Sequence, residues 1–277
     1  MCLSAASLNS GSNGNCYYIE SANDAVLIDA GISCKEVEKR MARLGLSPKK
    51  IRAVFITHEH TDHIYGLSSF LKKYPVPVYV TQDTLKQGVD VPVHLVHSFK
   101  SHSAIIIGEL SITAFPKLHD AVDPFSFIVT CSNVTVGVFT DIGFACNNVI
   151  HYFRQCNAAF LEANYDTEML QNGRYPVVLK KRISGGKGHL SNAQALDFFI
   201  THKPAFMTHL FLSHLSQNNN RPAIVEALFN AHADGVKMIV ASRFKETALH
   251  EIQSIQPERR VIYYRQTDVK QLSFAFT

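Results

Sequence analysis

The stretch Thr57-His58-Glu59-His60-Thr61-Asp62-His63 decides the fold. It directly follows the apolar run Ile51–Thr57, which reads as a buried strand. From His58 to His63, three histidines and two acids fall within six residues. Strand ends are where α/β proteins place ligands. His58 and His60 are two apart, so on extended backbone they point the same way. Asp62 and His63 fall at the start of a helical stretch, Asp62–Tyr74, and face a second position. Imidazole and carboxylate suit zinc or manganese, with iron as a third choice. Two such pairs around a tight turn suit two divalent ions roughly 3.5–4 Å apart. The competing reading is a polar loop of solvated histidines, which such density at a strand end disfavours.

Outward from this stretch, strands alternate with helices. Cys16–Glu20 and Ala25–Asp29 read as strands, with the helix Cys34–Leu44 after them. Val76–Thr81, Ala104–Ile107, Leu110–Phe115, Ser126–Thr130, Val134–Thr140 and Ala158–Glu162 read as further strands. Helices are expected over Ser191–His202 and Arg221–Ala233, and strands over Ala205–Leu212 and Met238–Ala241. No linker or repeat divides the 277 residues, so a single layered α/β domain spanning 1–277 is expected.

Composition is that of an ordinary folded protein, with 46% hydrophobic and 18% charged residues. The net charge of +4 permits an anionic substrate without demanding one. The six cysteines form no C-x-x-C pair and read as reduced thiols. With no signal-peptide pattern and no long apolar span, a cytoplasmic protein without membrane contact is expected.

H-x-H-x-D-H after a strand resembles the signature of the metallo-β-lactamase fold, a four-layered αββα sandwich with its site at one edge. The resemblance also implies a later lone His, an Asp at a strand end and a final His. His119, Asp141 and His214 each follow an expected strand in that order. The implied ligand sets are His58, His60 and His119 for one metal, and Asp62, His63 and His214 for the other. Asp141 would bridge the two. Asp29 and Asn15 are implied as supports that orient ligands.

Leu161-Glu162-Ala163-Asn164 and Gly188-His189-Leu190-Ser191-Asn192 resemble the phosphodiesterase branch of this fold. There a Glu and a His act as a unit near the scissile phosphate. A leaving alkoxide needs a positioned acid, which gives Glu162 and His189 catalytic roles beside Asp62. Lys180, Lys181, Arg182 and Lys187 flank a glycine-rich stretch, expected as a loop that contacts phosphates, and Ser191 opens a helix whose amides favour an anion. His119–Pro124, Leu212–Ser216 and the loop Asn9–Asn15 narrow the resemblance to the bacterial YycJ/WalJ/VicX group. That group implies a 5′→3′ exonuclease on double-stranded DNA ends. Two other readings stay open on the residues alone. One is a small-molecule phosphodiesterase or other hydrolase on the same core, and the other is a non-catalytic regulatory module.

Overall fold

Alternate residues of a strand point to opposite faces, and most strands here are apolar on both. In a computed structural model, which describes residues 3–254, this pattern builds two facing sheets with helices outside each. The first sheet contains β1 (Leu3–Asn9), β2 (Cys16–Glu20), β3 (Ala25–Ile28), β4 (Ile51–Phe55), β5 (Val78–Tyr79) and β6 (Val96–His97). The second contains β7 (Ala104–Ile107), β8 (Leu110–Pro116), β9 (Phe125–Cys131), β10 (Val134–Phe139), β11 (Ala158–Glu162), β12 (His209–Ser213) and β13 (Lys237–Val240). A last strand, β14 (His250–Ile252), returns to the first sheet beside β1.

Tyr17, Ile19, Val26, Ile28 and Phe55 point into the space between the sheets and meet Val136, Val138, Phe160 and Phe211. Their neighbours Tyr18, Leu27 and Val54 point outward, under α1 (Cys34–Arg43), α2 (Thr61–Ile64) and α3 (Leu67–Lys73). A short α4 (Gln82–Leu85) follows. On the far side, Leu161, Leu210 and Leu212 lie under α5 (Asn147–Phe153), α8 (Asn192–His202) and α9 (Pro222–Asn230). The helices α6 (Thr167–Asn172) and α7 (Val177–Ile183) lie between β11 and α8 in the chain. This is the four-layered αββα arrangement expected from the sequence.

The order of the strands positions the site. β3 and β4 are parallel, as are β10, β11, β12 and β13, so their C-terminal ends share one edge of the sandwich. The register pairs Leu161 with both Phe139 and Leu212, and Glu162 with Ser213. Asp141, Glu162 and His214 therefore come side by side.

The structure corrects several boundaries. The expected helix Asp62–Tyr74 is broken into α2 and α3. The break falls at Gly66, where an added Cβ would lie 1.7 Å from the Ile32 carbonyl oxygen. The strand β1 was not expected, because its alanines and serines carry little strand signal. β12 begins at His209 rather than Ala205. The basic residues expected in a loop instead sit largely on α7, with only Ser184–Gly188 as a turn. Cys16, Cys34, Cys131 and Cys156 are buried free thiols, and Cys146 is half-buried. Cys2 and residues 255–277 of the expected domain lie outside the described residues. Among the described residues, no helix is long and apolar enough to cross a membrane.

Candidate metal centre

Three of the strands that reach this edge are each followed by a polar side chain. Asp29 follows β3, Asp141 follows β10 by two residues, and His214 follows β12. All three have positive φ, at 61°, 56° and 56°. That left-handed turn is uncommon for residues other than glycine and is enriched in Asn, Asp and His. Its recurrence at three strand ends marks the edge as a built site.

The loops are tied to one another through the backbone. Asn15 N–H donates to the Asp62 carbonyl at 2.7 Å, and Gly31 N–H donates to the Asn15 carbonyl at 2.9 Å. A Cβ on Gly31 would lie 1.7 Å from the Asp62 oxygen, so only glycine allows this approach.

The structure brings together every residue of the two implied ligand sets. His58, His60 and His119 form one group, and Asp62, His63 and His214 a second. Asp141 also groups with His58 and His63, and with Glu162, His189 and His214. Within each group, the candidate ligand atoms lie within 4.8 Å of one another. The Asp141 carboxylate stands between the two sets, with Oδ2 3.2 Å from His63 Nε2 and Oδ1 3.7 Å from His119 Nε2 and 3.6 Å from His214 Nε2.

Four histidines are held from behind by the same device. His63 Nδ1 donates to Asp29 Oδ2 at 2.6 Å. His58 Nδ1 donates to the Thr57 hydroxyl at 2.9 Å, and that hydroxyl in turn donates to Asp29 Oδ2 at 2.8 Å. His119 Nδ1 donates to the Gly188 carbonyl at 3.1 Å, and His214 Nδ1 donates to Glu162 Oε1 at 3.0 Å. Fixing Nδ1–H in this way leaves Nε2 of each ring as the lone-pair donor that faces the centre. Asn15 Nδ2 lies 3.0 Å from Asp62 Oδ2 and 3.1 Å from His63 Nε2.

These donors fit divalent cations. His58 Nε2 and His119 Nε2 lie 3.0 and 3.3 Å from His60 Nδ1. Two imidazole nitrogens bound tetrahedrally to one zinc stand roughly 3.3 Å apart, from zinc–nitrogen bonds of about 2.0–2.1 Å. Unprotonated nitrogens so close repel one another until a cation lies between them. Asp141 Oδ2 is buried, and apart from His63 Nε2 at 3.2 Å it has no hydrogen-bond partner among the described residues, which suits a carboxylate that would bind a cation.

The electrostatics separate the two sets. Burial alone would lower the pKa of His63, but Asp141, Asp29 and Asp62 raise it to about 10. Burial would likewise lower His214, and Asp141, Asp62 and Glu162 push it well above its ordinary value. In contrast, burial holds His58 well below its ordinary value and takes His119 down to about 4. Burial opposes ionisation of Asp62 and Glu162, yet the neighbouring histidines bring both down to about 2.

Glu162 is fully buried, and its Oε2 accepts from the Ile142 amide at 2.8 Å. Its Oε1 accepts from His189 Nδ1 at 2.6 Å as well as from His214. His189 is partly exposed.

A family profile described as the Metallo-beta-lactamase superfamily matches residues 10–150. The chain belongs to the metallo-β-lactamase superfamily. Among curated proteins it is 31% identical over 220 residues to Exodeoxyribonuclease WalJ of Streptococcus pneumoniae, which covers 77% of this chain and 81% of that protein. It is 32% identical over 220 residues to Exodeoxyribonuclease YycJ of Bacillus anthracis, covering 77% and 82%. Among solved structures, the metallo-β-lactamase fold protein YhfI of Bacillus subtilis superposes with a TM-score of 0.70 at 17% identity, covering 91% of this chain and all of that one. Human tRNase Z, short form, superposes with a TM-score of 0.62 at 14% identity, covering 88% and 98%. These last two likenesses speak to the metallo-β-lactamase fold alone.

The basic residues around this metallo-β-lactamase site are not equivalent. Lys180 Nζ donates to the Gln171 carbonyl at 2.7 Å, and Arg182 pairs with Asp120 beside His119. Lys181 and Lys187 are exposed and make no ion pair among the described residues. Ser191 is already engaged. Its hydroxyl accepts from Gln194 N–H, and its own amide donates to the Gln194 side chain at 2.9 Å, in a capping box. The structure therefore leaves Ser191 little to offer a phosphate.

Sequence reasoning gave no role to several residues that hold the site. Ser10 Oγ accepts from the His214 amide at 2.7 Å, and Asn164 Nδ2 donates to the His214 carbonyl at 2.8 Å. Lys117 is buried, donates to the Thr140 carbonyl at 2.7 Å and has its pKa lowered by burial. These contacts join residues far apart in sequence, and no local pattern announces them.

Proposed function

We propose that this chain is a dinuclear metal-dependent nuclease that removes nucleotides from the 5′ ends of double-stranded DNA. One observation carries the reading. A fully buried Glu162 joins an exposed-side histidine, His189, to a ligand-type histidine, His214, beside the two donor sets. A thioester expels a thiolate that needs no acid, whereas an alkoxide leaving from phosphate needs a positioned one. The curated relatives named exodeoxyribonucleases, matched over most of this chain, support the same reading.

In this reading, His58, His60 and His119 hold one ion and Asp62, His63 and His214 the other, with Asp141 between them. Zinc or manganese suits the donors, with iron as a third choice. When bound, the ions supply Lewis-acid stabilisation of the phosphate and an activated water.

The chain's own residues do the rest. Asp29, Thr57, Gly188 and Glu162 fix the ligand rings so that no reorganisation is needed at the moment of reaction. Asp62 accepts from Asn15 and is placed to orient the attacking group. His189 acts as the imidazolium: its Nδ1–H stays on Glu162, and its second proton, on Nε2, passes to the leaving oxygen, which leaves a neutral ring. Lys181 and Lys187 meet the flanking phosphates. The core shared by both sheets supports reading the chain as a single domain.

A substrate panel tests this. The metal-loaded protein is expected to cut duplex DNA and to leave a glutathione thioester and a homoserine lactone intact. Thioester or lactone turnover that exceeds phosphodiester turnover would sink the reading. Hydrolysis of small phosphodiesters with no action on DNA would favour the small-molecule alternative.

A further inference from the structure

The α6–α7 connection and the loop after β12 enclose a cleft of about 590 Å³, lined by Met169, Asn172, Arg174, Tyr175, Asn218 and Asn219. Its two walls continue from the strand ends that carry Glu162 and His214. Ligands of open α/β sheets bind outside such C-terminal ends. The walls are locked to the site and to each other. The Ser216 amide donates to the Asn164 carbonyl at 2.8 Å, and the Asp166 amide donates to the Asn219 carbonyl at 2.8 Å. Asn218 Nδ2 donates to the Tyr175 hydroxyl at 2.9 Å.

The cleft asks for an anion. No carboxylate lines it among the described residues. Arg174 is exposed and makes no ion pair among the described residues. Arg243, on the segment after β13, does not line the cleft but stands close enough to Tyr175, which does, to feel its charge. Its Nη1 is buried without a hydrogen-bond partner among the described residues, while its carbonyl is held by Asn13 Nδ2 at 3.0 Å. A buried guanidinium N–H without an acceptor is costly, and phosphate oxygens match its geometry. The volume falls in the roughly 300–1,000 Å³ range of small-ligand sites, which suits a nucleotide and not a duplex.

We infer that this cleft is the subsite for the terminal nucleotide of the strand being cut, with Arg174 on its wall receiving the 5′-phosphate and Arg243, behind Tyr175, adding its charge. The inference rests on the nuclease reading and fixes which end of the strand lies beyond His214. Tyr175 lies just before α7 in the chain, and Arg182 near its end pairs with Asp120 beside His119. The basic helix thus flanks the path from the cleft to the metal centre.

The test uses the full-length, metal-loaded protein and duplexes that carry either a 5′-phosphate or a 5′-hydroxyl. Binding of deoxyadenosine 5′-monophosphate is measured in parallel by calorimetry. The wild type is expected to prefer the phosphorylated duplex by about tenfold or more in kcat/KM. Arg174→Ala should bring that preference toward unity and weaken mononucleotide binding by a similar factor, whereas the charge-keeping Arg243→Lys should preserve both. Arg174 is exposed, so its variant tests the cleft even where a change at Arg243 disturbs folding. Equal rates on the two duplexes, with mononucleotide binding unmoved by Arg174→Ala, would overturn the subsite and leave the nuclease reading standing. Mononucleotide binding that depends on Arg174, in a protein that cuts neither duplex, would sink the nuclease reading and the cut-strand assignment with it, and leave the cleft as a nucleotide site alone.

Discussion

His189 and His214 share one oxygen of Glu162, at 2.6 and 3.0 Å from their respective Nδ1 atoms. Sequence reasoning treated Glu162 and His189 as a unit apart from the metals. The shared oxygen ties that unit to a proposed ligand. His189→Ala is therefore expected to keep both metals and slow single-turnover cleavage by about 10²–10⁴-fold. Glu162→Gln should be slow and also bind one metal more weakly, because His214 loses its acceptor. Metal analysis and single-turnover rates on both variants check this. Full metal affinity in Glu162→Gln would show that the hydrogen bond to His214 does not matter.

Asp29 touches no proposed ligand atom that faces the centre, yet it holds two ligand rings. It accepts from His63 directly and from His58 through Thr57. Asp29→Asn should weaken metal affinity about 10–100-fold, the usual cost of losing such an outer partner. Asp141→Ala should be worse, since it would remove a ligand from both ions. Metal titrations with a competing chelator decide the order. Asp29→Asn that binds metal like the wild type would remove Asp29 from the account.

The two ions should differ in their response to pH. With His63 raised to about 10 and His214 also raised, the ion-free protein keeps both rings protonated at pH 7. Metal must displace those protons, so affinity at this position should climb as pH rises toward about 10. His58 and His119 are lowered, His119 to about 4, so their rings are already neutral at pH 7. Affinity there should stay nearly flat above pH 7 and weaken only in acid. Calorimetry in buffers of different ionisation heat should find proton release for one ion and little for the other. Equal release for both would contradict the assignment.

Salt dependence should separate the basic residues. Lys181→Ala with Lys187→Ala should flatten the slope of log K against log salt by roughly 0.9 for each duplex phosphate that is no longer neutralised. Arg182→Ala should do less, because its guanidinium is already paired with Asp120. Binding titrations from low to moderate salt give the slopes. An unchanged slope in the Lys181 and Lys187 variant would place the nucleic acid elsewhere.

The site was legible where its chemistry is compressed in sequence. His58 to His63 run from just past β4 into the first turn of α2, and Asp141 and His214 each lie just past an apolar strand, so a strand-end pattern locates them. Asp29 was legible for the same reason. The break at Gly66 and the helix α7 were not, for different reasons. Gly66 packs against the Ile32 carbonyl, and α7 has no buried residue whose periodicity could announce a helix. Ser191 misled for a local reason. The features that suggest an anion site at a helix start are the ones a capping box consumes.

The central claim rests on metal-dependent attack at DNA ends, so the most direct measurement follows 5′-labelled duplex DNA through metal removal and return. The chelated protein is expected to be inactive. Added manganese or zinc should restore release of short 5′-labelled products from the wild type but not from Asp141→Ala. Cleavage that survives chelation, or that Asp141→Ala retains, would contradict the account.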